Sequence, residues 1–175
     1  MKKGLIHIYC GGGKGKTTAA MGLAMRMAGS GGKAAVFQFL KDNTSSERNA
    51  LAQVDGIRLI DGMENVKFTF CMTDTERAEA QRFYSEKLSE VEAFIKSGEY
   101  DMIVLDEVLD AVESGIVPEE RLLDVMKLCR GRVELVLTGR APYAEVKTMA
   151  DYITEMKNVC HPYDKGMQAR KGIEF

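Results

Sequence analysis

Eight consecutive residues near the start of the chain, Gly11-Gly12-Gly13-Lys14-Gly15-Lys16-Thr17-Thr18, have the types and spacing needed to hold a run of phosphates. Glycines let backbone N–H groups converge on phosphate oxygens, Lys16 supplies a cation, and the Thr17 hydroxyl is a hard oxygen donor suited to Mg²⁺. A glycine-rich turn that merely starts a helix is the plainer explanation. The context weighs against it, because the apolar stretch Leu5 to Cys10 precedes the glycines and a helix-like stretch follows Lys16, the strand–loop–helix order such a motif demands. The pattern G-x-x-x-x-G-K-[ST] would place its first glycine at position 10, where this chain has Cys10. The glycine arrives one residue late, so a slightly different loop path is expected.

A second constellation is Asp106-Glu107, directly after the apolar run Met102 to Leu105. Acidic residues often end strands simply because they are solvated there. Beside a phosphate loop they acquire a further use, since Mg²⁺ needs oxygen ligands and a carboxylate at a neighbouring strand end can complete its site. The residues alone leave open which of the two carboxylates touches the metal. The chain's two histidines, His7 and His161, offer no Ser-His-Asp or Cys-His arrangement. His7 falls inside the first strand pattern and reads as structural, and the His-Pro turn at 161 is equally well explained that way.

Positioning these residues requires strands alternating with helices. Leu5 to Cys10, Ala34 to Leu40, Ile57 to Ile60, Met102 to Leu105, Val133 to Leu137 and Ile153 to Met156 read as strands, several as continuous apolar runs of the kind buried on both faces of a parallel sheet. Helices are expected from Lys16 to about Ala28, from about Glu47 to Gln53, over 73–97, from Pro118 to about Cys129, and from Pro142 to about Ala150. The third expected strand is short. The helix over 73–97 is the best marked, with Thr73 and Glu76 forming a capping box and Ala80, Phe83, Tyr84, Leu88, Val91, Phe94 and Ile95 repeating at helical spacing until Gly98. Such an alternation predicts an α/β fold with a mostly parallel sheet and right-handed crossovers. Ligands then bind at the carboxyl ends of the strands, which points to three loops: Gly11 to Thr18, Asp106-Glu107, and Thr138-Gly139-Arg140.

Composition sets the frame. The 175 residues suit one domain spanning 1–175, with 45% hydrophobic and 29% charged residues, close to the soluble globular average. Twenty-four Lys and Arg against 26 Asp and Glu leave a formal charge of −2, without the basic excess of a nucleic-acid binder. Cys10, Cys71, Cys129 and Cys160 are scattered with no C-x-x-C pair, so four free thiols in a reducing compartment are expected. With no apolar run approaching 18 residues and no signal-like start, the expectation is a cytoplasmic protein without a membrane span. The phosphate loop fixes a ligand, not a reaction.

Several segments in order carry the next step: Gly-Lys-Gly-Lys-Thr-Thr-Ala-Ala at 13–20, Val-Phe-Gln-Phe-Leu-Lys at 36–41, Lys-Phe-Thr-Phe at 67–70, Val-Leu-Asp-Glu-Val at 104–108, Leu-Thr-Gly-Arg at 137–140, Ala-Asp-Tyr-Ile-Thr-Glu-Met at 150–156, His-Pro-Tyr-Asp-Lys-Gly at 161–166 and Gly-Ile-Glu-Phe at 172–175. Along nearly its whole length the chain thereby resembles the P-loop corrinoid adenosyltransferases. The family also has a non-glycine residue where Cys10 stands, and Trp often occupies the position of Phe70. The resemblance implies a P-loop, RecA-like three-layer α/β fold that moves the 5′-deoxyadenosyl group of ATP to Co(I) of cobalamin, cobinamide or cobyrinic acid a,c-diamide and releases tripolyphosphate. It implies a nucleotide lying reversed, so that the ribose C5′ faces the second substrate. By the same resemblance Gly11, Gly12, Gly13, Lys14, Gly15, Lys16, Thr17 and Thr18 bind the triphosphate; Arg26, as an ATP contact from its helix, and Arg140, after a strand end, are weaker candidates that an ordinary surface ion pair explains equally well. Lys16, Thr17 and Glu107 are the catalytic candidates; Thr17, Asp106 and Glu107 hold Mg²⁺; Phe68 and Phe70 belong to the corrinoid pocket. Without the resemblance, both phenylalanines read more readily as core. A homodimer and a flavoprotein reductant are the partners implied. The competing expectations are a small-molecule kinase transferring the γ-phosphate and an ATP-switched binding module.

Overall fold

The computed structural model describes residues 4–173. Six strands form one sheet: β1 (Ile6–Cys10), β2 (Ala34–Gln38), β3 (Ile57–Leu59), β4 (Met102–Asp106), β5 (Glu134–Thr138) and β6 (Tyr152–Glu155). They lie in the order β3-β2-β4-β5-β1-β6, and every pairing is parallel. Helices α1 (Lys16–Gly29), α2 (Ser46–Leu51), α3 (Asp74–Ser97), α4 (Val108–Glu113), α5 (Glu119–Cys129) and α6 (Ala144–Met149) connect them.

Successive strand residues point to opposite faces, so each apolar strand feeds two cores. Ala34, Val36, Met102, Val104 and Val136 pack on one face under Ala20, Met21 and Ala24 of α1 and Leu51 of α2. Ile6, Ile8, Ala35, Phe37, Ile103, Leu105, Leu135 and Leu137 pack on the other, against α3, α4, α5 and Val146 of α6. The result is a three-layer α/β fold. Helix α3 contributes Ala80, Tyr84, Leu88, Val91 and Ile95, all buried at the expected helical spacing. Full burial of a side chain such as Leu88 contributes about 1.5–3 kcal/mol relative to leaving it exposed.

Helix α3 begins as its sequence requires, since Thr73 accepts from the Glu76 N–H and Glu76 accepts from the Thr73 N–H. Gly98 ends it in the left-handed conformation, φ 69°. Several expected bounds shift by one or two residues, among them the helix expected from Pro142, which begins at Ala144. Strand β2 stops at Gln38 instead of Leu40, because Leu40 adopts φ 53° and turns the chain out of the sheet. Pro118 is the cap residue of α5 and the helix proper starts at Glu119. Helix α4 had no counterpart in the sequence reading; it is six residues long and follows a left-handed Glu107, φ 60°. No helix among the described residues is long and apolar enough to cross a membrane.

Candidate active site

The phosphate loop leaves β1 at the carboxyl edge of the sheet and enters α1. Cys10 is still a strand residue, paired with Glu155 of β6 and 6% exposed, and the turn begins only at Gly11, φ 104°. That explains the late glycine: the strand simply runs one residue further. The loop is clamped by the two strand ends flanking β1, as the Gly11 N–H donates to the Arg140 carbonyl (2.8 Å) and the Gly13 N–H to that of Met156 (2.7 Å). A Cβ at position 11 or 13 would stand 2.4 or 2.7 Å from the Met156 oxygen, so only glycine allows the clamp.

Helix α1 starts with Gly15 as its cap residue, without a side-chain cap and without an acidic residue in its first turn. Its N-terminal N–H groups and dipole are therefore available to an anion. The Lys16 ammonium folds back over the loop and donates to the carbonyls of Gly11 (2.8 Å) and Gly13 (2.9 Å), which leaves one of its three donors for a ligand. Gly12, Lys14 and Thr18 are exposed at the mouth.

Asp106 is fully buried at the end of β4 and all of its acceptor capacity is engaged. Its Oδ1 accepts from the hydroxyls of Thr17 (2.9 Å) and Thr138 (2.7 Å), and its Oδ2 from Lys41 Nζ (2.9 Å) and Gln38 Nε2 (3.2 Å). Thr138 ends β5, the strand between β4 and β1, and its oxygen also accepts from the Glu107 N–H (2.8 Å). Glu107 differs from its neighbour: its side chain is 31% exposed and is paired, among the described residues, with Lys41 Nζ at 3.1 Å. Burial pushes the Glu107 carboxyl above its ordinary value, Lys41 opposes that, and the Asp106 charge adds to it. For Lys41 burial works downward and is the largest influence, yet the attraction of Asp106 and Glu107 together outweighs it and leaves the ammonium above its ordinary pKa.

Oxygen donors from Thr17, Asp106 and Glu107 thus meet at one point beside the helix terminus. This hard donor set suits a divalent cation whose remaining ligands are water and phosphate. Among the described residues no group of three or more His, Cys, Asp or Glu forms a self-contained metal site.

Sequence reasoning found Lys16, Thr17, Asp106 and Glu107 but gave no role to Lys41 or Gln38. Both sit where β2 ends, and the register sets Gln38 opposite Asp106. Nothing in a linear sequence says that β2 neighbours β4. Gln38 is fixed in turn, since Arg48, itself buried, donates to its oxygen (3.4 Å) while its amide donates to Glu47 (2.8 Å).

The structure does not bring Arg26 to the loop. It is exposed in the last turn of α1, about 15 Å along the axis from Lys16 at 1.5 Å per residue, where a cation suits the helix C-terminus. The backbone of Arg140 reaches the site through its carbonyl, and its N–H donates to Asp110 (3.0 Å). His7 is structural: its ring stacks on Tyr152 and hydrogen-bonds Glu134 at 2.8 Å. His161 accepts from the Tyr163 N–H in a short 3-10 turn. The four cysteines are free thiols.

Phe68 and Phe70 are not core. They stand 76% and 83% exposed on either side of Thr69, with rings stacked at 5.4 Å between centroids. Their segment leaves the carboxyl end of β3, on the same edge of the sheet as the phosphate loop. Asn43 ties its start to the loop after β2 by accepting from the Gly62 N–H (2.7 Å), and Arg77 bridges the Thr69 and Ser114 carbonyls (3.4 and 2.8 Å). A cavity of about 400 Å³ lined by Gly4, Met27, Gly32, Asp101 and Arg132 lies at the opposite edge and touches none of these groups.

The family model for "ATP:corrinoid adenosyltransferase BtuR/CobO/CobP" matches residues 2–175. Among curated proteins the chain is similar to the corrinoid adenosyltransferases of Escherichia coli K12 (28% identity, 99% of this chain, 87% of the relative) and Sinorhizobium sp (31%, 99% and 81%). It is likewise similar to corrinoid adenosyltransferase CobA of Salmonella typhimurium (29%, 99% and 87%). A solved KaiC-like protein from Pyrococcus horikoshii OT3 superposes with a TM-score of 0.57 at 20% identity over 89% of this chain and 73% of its own. That likeness concerns the fold, a RecA-like P-loop architecture.

Proposed function

The chain belongs to the ATP:corrinoid adenosyltransferase family and is an enzyme of ATP:corrinoid adenosyl transfer, and from that premise we propose how its residues divide the reaction. The substrate is the Co(I) form of cobalamin, cobinamide or cobyrinic acid a,c-diamide. The cobalt electron pair forms a bond to C5′ of ATP, the C5′–O5′ bond breaks, and tripolyphosphate leaves with that bond's electron pair. Cobalt is formally oxidised from Co(I) to Co(III), and no proton has to be taken from the nucleophile. The site's lack of a histidine base agrees with this chemistry.

Gly11 to Thr18 hold the triphosphate as leaving group instead of as donor of its last phosphate. The uncapped first turn of α1 and the third N–H of Lys16 act on charge that grows on the leaving oxygens as the bond breaks. Thr17 and Glu107 hold Mg²⁺; when bound, it neutralises charge on the triphosphate. Asp106, whose two oxygens already accept four hydrogen bonds, orients the Thr17 hydroxyl instead of binding the ion directly. Phe68 and Phe70 offer an apolar face to the corrinoid. A cytoplasmic homodimer supplied with electrons by a flavoprotein is the proposed setting.

The observation that carries this reading is the 2.9 Å bond from Thr17 to Asp106 at an uncapped helix terminus, in a chain that matches the family from end to end. The test is an anaerobic incubation with ATP, Mg²⁺ and chemically reduced corrinoid, following the cobalt spectrum and the phosphate products together. A light-sensitive adenosyl-cobalt species with equimolar tripolyphosphate is expected. ADP as product, with no adenosylated corrinoid from any of the three substrates, would overturn the proposal.

A further inference from the structure

The two side chains assigned above to the divalent cation, and the Asp106 that orients one of them, converge on one ammonium. Lys41 Nζ lies 2.9 Å from Asp106 Oδ2, 3.1 Å from Glu107 Oε1 and 3.3 Å from Thr17 Oγ1. The arrangement is built into the backbone at both ends. Leu40 and Glu107 are two of only three non-glycine residues with positive φ among those described, 53° and 60°, and they flank the contact at the ends of β2 and β4. Backbone strain of this kind persists only where the surroundings impose it. The Leu40 N–H is held by the buried Tyr84 hydroxyl at 3.1 Å, which fixes the direction in which Lys41 leaves the sheet. Only 22% of the Lys41 side chain is exposed, so this is not a solvated surface pair.

From this geometry we propose that Lys41 is a positioning residue that stands in for the divalent cation: it keeps Thr17, Asp106 and Glu107 gathered while the site is empty and has to leave before Mg²⁺ can enter. The inference rests on the reading that Thr17 and Glu107 hold the metal and that Asp106 orients Thr17. An ammonium and a metal ion cannot share the same oxygens, because both are cations and would stand within a few ångströms of one another. Both carboxylates are already paired with the Lys41 ammonium. Bare Mg²⁺ would add uncompensated positive charge, whereas Mg²⁺ with ATP brings an excess of negative charge and gives the displaced ammonium an anionic neighbour. Metal entry is thereby conditional on the nucleotide, and the site stays assembled without being occupied by Mg²⁺ alone.

The test uses Mn²⁺ as an EPR-visible probe and Mg²⁺ in thermal melts, each with and without ATP, on the full chain. Wild type should bind Mn²⁺ tightly only with ATP present, and its melting temperature should not respond to Mg²⁺ alone. Lys41→Met should bind Mn²⁺ without nucleotide at least about tenfold more tightly than wild type, as expected when a competing cation is removed. The added change Glu107→Gln should abolish that gain, locating the ion, and Lys41→Arg should restore the nucleotide requirement. Nucleotide-free Mn²⁺ binding by wild type as tight as with ATP would overturn the proposal even if Lys41→Met did not fold. So would a Lys41→Met protein that still needs ATP to bind Mn²⁺. Failure of the metal reading itself looks different: Mn²⁺ then binds with ATP no more tightly in wild type than in Glu107→Gln.

Discussion

The phosphate corner and the aromatic turn lie on the same edge of the sheet and are built in opposite ways. Around Asp106 the polar groups are buried and satisfied by one another, and Gly11 and Gly13 are clamped by neighbouring strand ends. Around Phe68 and Phe70 the apolar groups are bare, held by one 3-10 turn and the side chain of Arg77. The residues after β6 share that second character, with Val159 92%, Tyr163 68% and Ile173 53% exposed. One chain can preorganise the half of a site made by converging strands, because the sheet supplies rigidity there. The other half has surface to offer but little within the chain to cover it.

If that contrast is right, the largest effect on turnover comes from the corner. Lys16→Ala removes the cation from the leaving group and should lower the adenosylation rate by about 10²–10³-fold or more, the scale seen when one preorganised donor is lost. Its fold should survive, since Lys16 bonds to the loop carbonyls of Gly11 and Gly13 and takes no part in either core cluster. Near-normal turnover in that variant would remove the loop from the mechanism.

Stability separates the two regions next. Asp106→Ala strips an acceptor from Thr17, Thr138, Gln38 and Lys41 at once and leaves the ammonium partly buried without its closest partner. A loss of about 3–5 kcal/mol is expected, or roughly 10 °C in melting temperature for a domain of this size. Phe70→Ala should leave the melting temperature nearly unchanged, within about 0.5 kcal/mol, because the ring has almost no protein around it. It should instead raise the corrinoid KM by about tenfold, the worth of one aromatic contact and its buried area. Equal melting shifts for the two variants would erase the distinction.

The same contrast decides what the sequence could reveal. Local signals were legible: the glycine loop, the apolar strand runs, and the capping box and stripe of α3 all reappear where residue spacing puts them. Proximity between non-consecutive strands was not. Lys41 joins the site only because β2 lies beside β4, and Thr138 only because β5 separates β4 from β1. Helix α4 was missed because its start depends on Glu107 taking a left-handed conformation, for which that residue type has no preference. The phenylalanines are the converse case, since composition argues for burial and only the matched segment around them argues for exposure.

The smallest expected effect concerns what holds the aromatic turn in place. It is followed directly by the capping box of α3, and Glu76 there is bonded by Lys67 and by the Thr73 backbone and hydroxyl. Those bonds, the Lys67 one first, hold the Glu76 carboxyl down at about 2, against an ordinary 4.5. A carboxyl whose pKa is lower in the folded chain stabilises it above the unfolded value and loses that contribution as pH falls through the folded one. The melting temperature of Glu76→Gln should therefore lie slightly below that of wild type at pH 7, with the gap closing as the solution is acidified below 4.5. Because the groups are exposed, added salt should remove the Lys67 share of the gap and leave the capping share. Thr73→Ala provides the reference: loss of the cap costs about 1 kcal/mol and should not depend on salt. A gap in Glu76→Gln that is indifferent to both pH and salt would mean that packing, not these surface bonds, orders the turn, and the two regions would then be less different than their exposure implies.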